Sequence, residues 1–304
     1  MRLQPHFAVA VAAFVATAWV VHMSSDVRKS GEDVEGMQDW QYEGVSIDGG
    51  VGPESFAFDP RGEGPYTGIS DDSLQLFTPT AAYQSFTIGS MAVEDSCAGF
   101  GGNIWNYISL ILSRDKSGKL MKYEPESEQL TILLKNLSFA NGVALSKDGD
   151  YILIIETTTC RVLRYWLETP KAGTLEVFAE LPGFPDNIKR SPRGGFWVGI
   201  YSPRERFIQW ILSYPWIGKV LLSLPLDITK AYSYLAKLKR SSGMAIRLSE
   251  DGDILQVVED KKWNKGRSIS EVEERDGILW VGSIDAPFVS KYNINVPKQQ
   301  VKGI

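Results

Sequence analysis

The chain has 304 residues, 32 of them basic and 37 acidic, and its net charge of −5 argues against a nucleic-acid-binding protein, which would show a basic face. Its only two histidines, His6 and His22, lie in an N-terminal apolar segment, which excludes a Ser-His-Asp triad and a histidine zinc site from the rest of the chain. Any chemistry there must depend on carboxylates, tyrosine, lysine or a hard metal ion.

Residues 1–23 begin with a basic residue, Arg2, and continue as an uncharged, Ala/Val-rich run from residue 7 to residue 21. This pattern predicts a secretory signal peptide or an uncleaved signal anchor, and both direct the chain into the secretory pathway. We therefore expect the protein in a vacuolar or endomembrane lumen, with membrane contact where the segment is retained. Residues 24–42 are predicted to form a linker, and Asn136 of the triplet Asn136-Leu137-Ser138 is the candidate glycosylation site.

Between residues 43 and 298 one pattern returns, in which an apolar strand, a polar turn with glycine and a second apolar strand follow one another. Each copy predicts a β-hairpin, and the 45 residues between Gly149 and Gly194 are the usual length of a four-stranded propeller blade. The chain is therefore predicted to be an all-β propeller. The copies occupy residues 56–69, 143–155, 188–200, 246–258 and 272–284.

The middle copy predicts a complete blade, with strands at residues 141–147, 151–156, 161–167 and 174–181. Asn141 begins the innermost strand of this blade, Asp186 and Asn187 stand at the same place in the next blade, and Glu54 precedes the first copy. That place faces the central channel of a propeller. Taken singly, Asn141-Gly142 is also a common turn signal and Pro185-Asp186-Asn187 a common Asx turn.

Residues 203–240 interrupt the alternation with helical spacing, which is broken at Pro215 and Pro225. We expect helices that pack over one face of the propeller. The alternative is a membrane-contacting or partner-binding patch, because aromatic, aliphatic and lysine side chains gather in this stretch. The residues concerned are Trp210, Trp216, Ile217, Lys219, Val220, Leu221, Leu222 and Lys239.

Several longer stretches resemble the plant strictosidine synthase-like proteins, a group that includes the animal adipocyte plasma membrane-associated protein. They are "GPESFAFDPRGEGPYTGIS", "SGKLMKYEP", "LSFANGVALSKDGDYILIIETTTCRVLRYWLETPKAG", "VFAELPGFPDNIKRSPRGGFWV" and "ISEVEERDGILWVGS". The resemblance covers nearly all of residues 50–293. It implies a six-bladed β-propeller related to paraoxonases and gluconolactonases.

The chain departs from the family pattern by an apparent internal deletion. The stretch "AAYQSFTIGSMAVEDSCAGFGGNIWNYISLILSRDKSGKL" joins the first blade almost directly to the third strand of blade three. At about 40–45 residues per blade, roughly 60–70 residues are missing, among them a family Asn and a partner for Cys97. We therefore expect about four to five blades beginning near Glu54, Asn141, Asp186 and Ile269. Residues 43–48 should close the last blade, and an ill-fitting helix or disorder should lie between residues 89 and 115.

A second departure concerns catalysis. In genuine strictosidine synthases a Glu near the last inner strand acts in the condensation of tryptamine with secologanin, and the alignment places Ser270 there and Ser268 where the family enzyme has a histidine. Serine cannot replace a carboxylate that must carry a proton. Glu271, the next residue, points to the other face of a strand. Condensation chemistry in alkaloid biosynthesis is therefore only a second alternative.

Glu54, Asn141, Asp186 and Asn187 together predict a Ca²⁺ site at the channel centre, because calcium takes carboxylate and amide oxygens. Related lactonases use a Glu, an Asn and an Asp at matching blade starts. The resemblance thus implies a hydrolase of a small-molecule ester or lactone, with Asp186 or a cation-bound water as the base. The alternative from another class is a non-catalytic secretory propeller, or a degenerate gene product, that keeps the cation for structure.

Overall fold

The computed structural model describes the backbone of five short strands between residues 37 and 89. It then describes residues 104–124, 129–204, 206–223, 243–259, 268–284, 286 and 288–294. The described residues do not include the N-terminal segment, Glu54, Cys97, Pro225 or Lys239. The described strands form five sheets, and most neighbouring strands are antiparallel.

The predicted middle blade is confirmed strand by strand. Strands β8 (Ala140–Leu145), β9 (Tyr151–Glu156), β10 (Arg161–Trp166) and β11 (Leu175–Glu180) form one antiparallel sheet, with β8 at one edge and β11 at the other. Every residue of β9 is buried, as expected for a strand with sheets packed on both faces.

The next blade contains β12 (Gly183–Arg190), β13 (Phe196–Pro203), β14 (Met244–Leu248) and β15 (Ile254–Glu259). A fifth, short strand, β1 (Met37–Gln38), pairs with β15 in parallel. Because β1 lies within the predicted linker of residues 24–42, part of that stretch extends the sheet.

The last blade is completed by the N-terminal part of the chain. Strands β16 (Glu271–Arg275), β17 (Ile278–Gly282) and β18 (Phe288–Asn293) follow one another, and β2 (Tyr42–Ser46) pairs antiparallel with β18 as the fourth strand. This confirms the prediction that residues 43–48 close the last blade.

Two further sheets have fewer than four strands among the described residues, which agrees with the apparent deletion. One is the pair β3 (Phe56–Ala57) and β4 (Tyr66–Thr67), and the other contains β5 (Ser85–Gly89), β6 (Gly118–Glu124) and β7 (Gln129–Leu137). A helix, α1 (Ile104–Ser113), lies between β5 and β6, within the range predicted for an ill-fitting helix. The protein is thus an incomplete β-propeller with a few helices.

The blades pack face to face because side chains alternate along each strand. On β9, Leu153 and Ile155 belong to the apolar cluster shared with β12–β15, whereas Ile152 and Ile154 face Leu120 of β6. On β13, Phe196 and Val198 face β8–β11, whereas Trp197 packs against the last blade. The blades therefore pack against one another in chain order around the propeller axis.

The helical insertion forms α2 (Arg206–Ser213) and α3 (Pro215–Ser223), and α3 begins at the predicted breaker Pro215. Both helices pack with α1 in an apolar cluster that includes Ile108, Leu112, Ile211 and Ile217. This supports helices packed on the propeller as the main role of the stretch. A membrane or partner contact through it stays a prediction.

The described part of the insertion exposes two large aromatic side chains. In the part of the insertion that the structure describes, Trp216 is 58% exposed and Tyr214 46% exposed, whereas Ile217 is buried. None of the helices described is both long and apolar enough to cross a membrane.

A buried carboxylate ties two blades together at the turn between β12 and β13. Glu274 of β16 accepts hydrogen bonds from Ser191 Oγ at 2.7 Å, from Trp197 Nε1 at 2.7 Å and from two nitrogens of Arg193. Burial alone would raise the pKa of Glu274, but the bonds from Arg193, Trp197 and Ser191 together hold it below its ordinary value.

Candidate functional site

The two predicted site segments each form a β-bulge on an innermost strand. On β8 the pairing with β9 runs from Ala140↔Glu156 to Val143↔Ile154, so one extra residue lies at positions 141–142. On β12 the pairing with β13 runs from Pro185↔Ile200 to Ile188↔Val198, and the extra residue lies at positions 186–187. Bulges redirect side chains next to functional sites. Both segments therefore lie within strands and not in the connections between strands.

The bulges bring Asn141 and Asp186 into direct contact. Asn141 Nδ2 donates to Asp186 Oδ1 at 2.7 Å, although the residues are 45 positions apart in sequence. Asp186 is only 7% exposed, and Asn141 is partly buried. A buried carboxylate and an amide from successive blades are thus hydrogen-bonded to each other at the inner edge of the propeller.

Close backbone approach makes this contact feasible. A Cβ on Gly142 would lie 2.8 Å from the Cα of Asn187 and from the backbone nitrogen of Ile188. Only glycine therefore lets the bulges of β8 and β12 come this close. Gly199 and Gly243 have the same role toward the last blade, where a Cβ would meet Ser270 O at 2.6 Å and Ile269 N at 2.4 Å.

Asn187 contacts the next blade through its backbone. Its backbone nitrogen donates to Ser270 O at 3.0 Å. Its side chain is partly buried and makes no hydrogen bond within the described part of the chain. The predicted ligands Asn141 and Asp186 are therefore brought together, Asn187 adjoins them through the backbone, and Glu54 lies outside the described residues.

Thr157, which the sequence patterns did not single out, connects the two bulges. It is fully buried in the turn after β9. Its Oγ1 donates to Pro185 O at 2.8 Å and accepts from Asn141 Nδ2 at 3.3 Å. The run Thr157-Thr158-Thr159 predicts only a polar turn, so the contact could not be found without the tertiary structure.

Two nearby ionisable side chains are unsuited to catalysis, because Glu156 is held by hydrogen bonds and Cys160 has a raised pKa. Glu156, 2% exposed, accepts from Ser138 N at 2.7 Å, from Thr159 Oγ1 at 2.9 Å and from Arg161 Nε at 2.7 Å. Cys160 is a buried free thiol, and burial raises its pKa to about 12. Because the thiolate is the reactive form, this cysteine is a poor nucleophile.

Ser270, which the sequence resemblance aligns with the catalytic Glu of strictosidine synthases, and Ser268, which it aligns with a histidine, are both buried. The backbone nitrogen of Ser270 donates to Gly282 O at 2.9 Å, and Ser268 Oγ lies 3.4 Å from Ser283 Oγ. The neighbouring Glu271 is buried beside Lys189, with Nζ and Oε1 3.6 Å apart. The carboxylate that follows Ser270 is therefore held by a lysine on β12.

The donors at the bulges fit the chemistry of a hard cation. Calcium prefers carboxylate and amide oxygens, which Asp186, Asn141 and Asn187 carry. Within the described residues no three His, Cys, Asp or Glu side chains group in a way that could hold a metal ion. A site here therefore needs the asparagine amides, and Glu54 is the further carboxylate that the sequence offers.

A family model described as strictosidine synthase matches residues 88–170. The protein strictosidine synthase-like 10 of Arabidopsis thaliana is 34% identical over 330 aligned residues, which cover 82% of this chain and 87% of the relative. The chain belongs to the strictosidine synthase-like family. Strictosidine synthase-like 2 of the same plant is 53% identical over 196 residues, 62% of this chain, and the chain spans about half of that relative, 52% of its length.

The longer alignment bears on the internal deletion. Since 82% of 304 residues is about 249, about 80 of the 330 aligned positions have no residue of this strictosidine synthase-like chain opposite them. The blade length predicts a gap of roughly 60–70 residues. The relative therefore carries about 80 residues within the aligned range that this chain lacks.

Among solved structures, a calcium-binding protein, regucalcin, from Agrobacterium tumefaciens is similar over 60% of this chain and 54% of its own length. The sequence identity is 15% and the TM-score 0.39.

Proposed function

We propose that this protein is a calcium-assisted hydrolase of small esters or lactones. The observation that supports the proposal is the hydrogen-bonded pair of Asn141 and buried Asp186 on adjacent inner strands, with 2.7 Å between Nδ2 and Oδ1. A buried carboxylate held by a neutral amide combines a metal ligand with a proton acceptor.

Asn141, Asp186, Asn187 and Glu54 would hold the calcium ion. When bound, the ion supplies positive charge that stabilises the negative charge developing on the substrate carbonyl oxygen. Asp186 accepts a proton from the attacking water as its oxygen forms a bond to the carbonyl carbon. The bond from that carbon to the alkoxy oxygen then breaks, and the proton passes from Asp186 to the leaving oxygen.

The test is hydrolysis of a panel of aryl esters and lactones by the full chain, with calcium or with a chelator. We expect Asp186→Ala to lower kcat/KM by about 10²–10⁴-fold, the usual contribution of a general base. Asp251→Ala is the matched control, because Asp251 is exposed in the turn between β14 and β15. Equal rates for wild type and Asp186→Ala would refute the proposal.

A structural role for calcium is the second candidate. It is favoured by the fact that Asn141 and Asp186 belong to different blades, so an ion bound to both would link them. A ligand that binds only the folded state raises stability by mass action. If calcium raises Tm in wild type and not in Asp186→Ala, while no ester or lactone is hydrolysed, the non-catalytic propeller is the correct interpretation.

A further inference from the structure

We infer that Thr157 is a positioning residue that fixes the amide of Asn141 so that its carbonyl oxygen, and not its nitrogen, is presented as a metal ligand. This inference rests on the proposed calcium site. It concerns one hydroxyl that touches both bulges and that belongs to neither inner strand.

The direction of the Thr157 hydroxyl follows from its surroundings. Its oxygen lies 2.8 Å from Pro185 O, and a backbone carbonyl can only accept a hydrogen bond. The single hydroxyl proton must therefore point to Pro185. Toward Asn141, 3.3 Å away, Thr157 can offer only a lone pair.

The orientation of the Asn141 amide is then determined. Both of its nearest partners, Thr157 Oγ1 and Asp186 Oδ1, are acceptors, so the NH₂ group must face them. A rotated amide would place an oxygen 2.7 Å from a carboxylate oxygen, with no proton between them. Asn141 Oδ1 is therefore turned away from both, and no donor among the described residues reaches it.

The same arrangement couples the two blades. Thr157 lies in the turn after β9, and its backbone nitrogen donates to Phe139 O at 3.1 Å, directly before Ala140 and Asn141. The bond to Pro185 O holds the residue directly before Asp186. The fully buried Thr157 side chain therefore fixes both the orientation of the Asn141 amide and the position of the backbone that precedes Asp186.

The experiment measures calcium affinity of the full chain by calorimetric titration, with the calcium-dependent shift in Tm as the second readout. Thr157→Val keeps the shape and removes the hydroxyl, and we expect calcium binding about tenfold weaker, as for one lost hydrogen bond. Thr157→Ser keeps the hydroxyl, and its affinity should stay within about twofold of wild type.

A second background separates positioning from simple support of the fold. Asn141→Ala removes the amide, so in this background Thr157 has no amide to orient. There, Thr157→Val should change calcium affinity by less than about twofold. If Thr157→Val weakens binding equally in both backgrounds, Thr157 only supports the backbone and the inference is wrong.

The outcomes also distinguish this inference from the proposed function. If wild type binds no calcium, the proposed site itself fails. If wild type binds calcium and Thr157→Val binds it equally well, only the positioning role fails. Should Thr157→Val not fold, Thr157→Cys, which has a similar size and only a weak donor, takes its place in the same comparison.

Discussion

Replacing Glu274 by glutamine should destabilise the propeller strongly, because this side chain is the main polar link between the β12–β13 turn and the last blade. Its side chain is 1% exposed. Glutamine would direct an NH₂ group at donors that now surround a carboxylate: Ser191 Oγ, Trp197 Nε1 and Arg193. At least one buried donor would lose its acceptor.

The magnitude follows from the exposure of the partners. The Arg193 side chain is 43% exposed, so water can replace its bonds to Glu274, and losing these bonds costs little stability. Ser191 and Trp197 are fully buried, and their bonds to a charged group are worth about 1.5–3 kcal/mol each. Since glutamine retains one acceptor oxygen, we expect a loss of about 2–4 kcal/mol in the free energy of unfolding at pH 7.

The assay is urea unfolding of the full chain, with Glu273→Gln as the matched control on the same strand. Burial raises the pKa of Glu273 above its ordinary value, although the charges of Lys189 and Arg275 act in the opposite direction. Within the described structure no side-chain hydrogen bond holds this carboxylate. We expect this control to change the free energy of unfolding by less than about 1 kcal/mol.

The pH dependence gives an independent check. The folded-state pKa of Glu274 is lowered, so its stabilisation is complete above the ordinary value of 4.5 and is lost as the pH falls through the folded-state value. The difference between wild type and Glu274→Gln should therefore shrink below pH 4.5. If Glu274→Gln and Glu273→Gln unfold at the same urea concentration at pH 7, the argument about this link is wrong.

Three further predictions concern single residues. Burial and then the charge of Glu250 raise the pKa of Tyr151 to about 12, so ultraviolet titration should show one late-ionising tyrosine that is missing in Tyr151→Phe. Asn136 is exposed at the end of β7, so expression through a secretory pathway should give a glycosidase-sensitive product that Asn136→Gln does not give. The protein should not condense tryptamine with secologanin, because a buried serine cannot serve as the acid, and Ser270→Glu alone should not create that activity. Strictosidine formed from both substrates at an enzymatic rate would overturn this last prediction.

The sequence by itself determined the strands and most of their order. The β9 strand over residues 151–156, the other three strands of its blade and the closing strand near residues 43–48 were all predictable. The reason is that side-chain alternation and the turn residues between hairpin strands are local properties, which a few neighbouring residues determine. The same repetition aligned Asn141 with Asp186, because each lies near the start of an inner strand of its blade.

Only the tertiary structure decided how these residues meet. A bulge is a mismatch between two strands, so neither strand alone reveals that Asn141 and Asp186 lie on bulges rather than in turns. Thr157 acts across 28 residues of sequence on Pro185, and Glu274 acts across 77 residues on Trp197. Such contacts leave no local pattern, since the stacking of blades around the axis, and not the neighbouring sequence, brings the partners together.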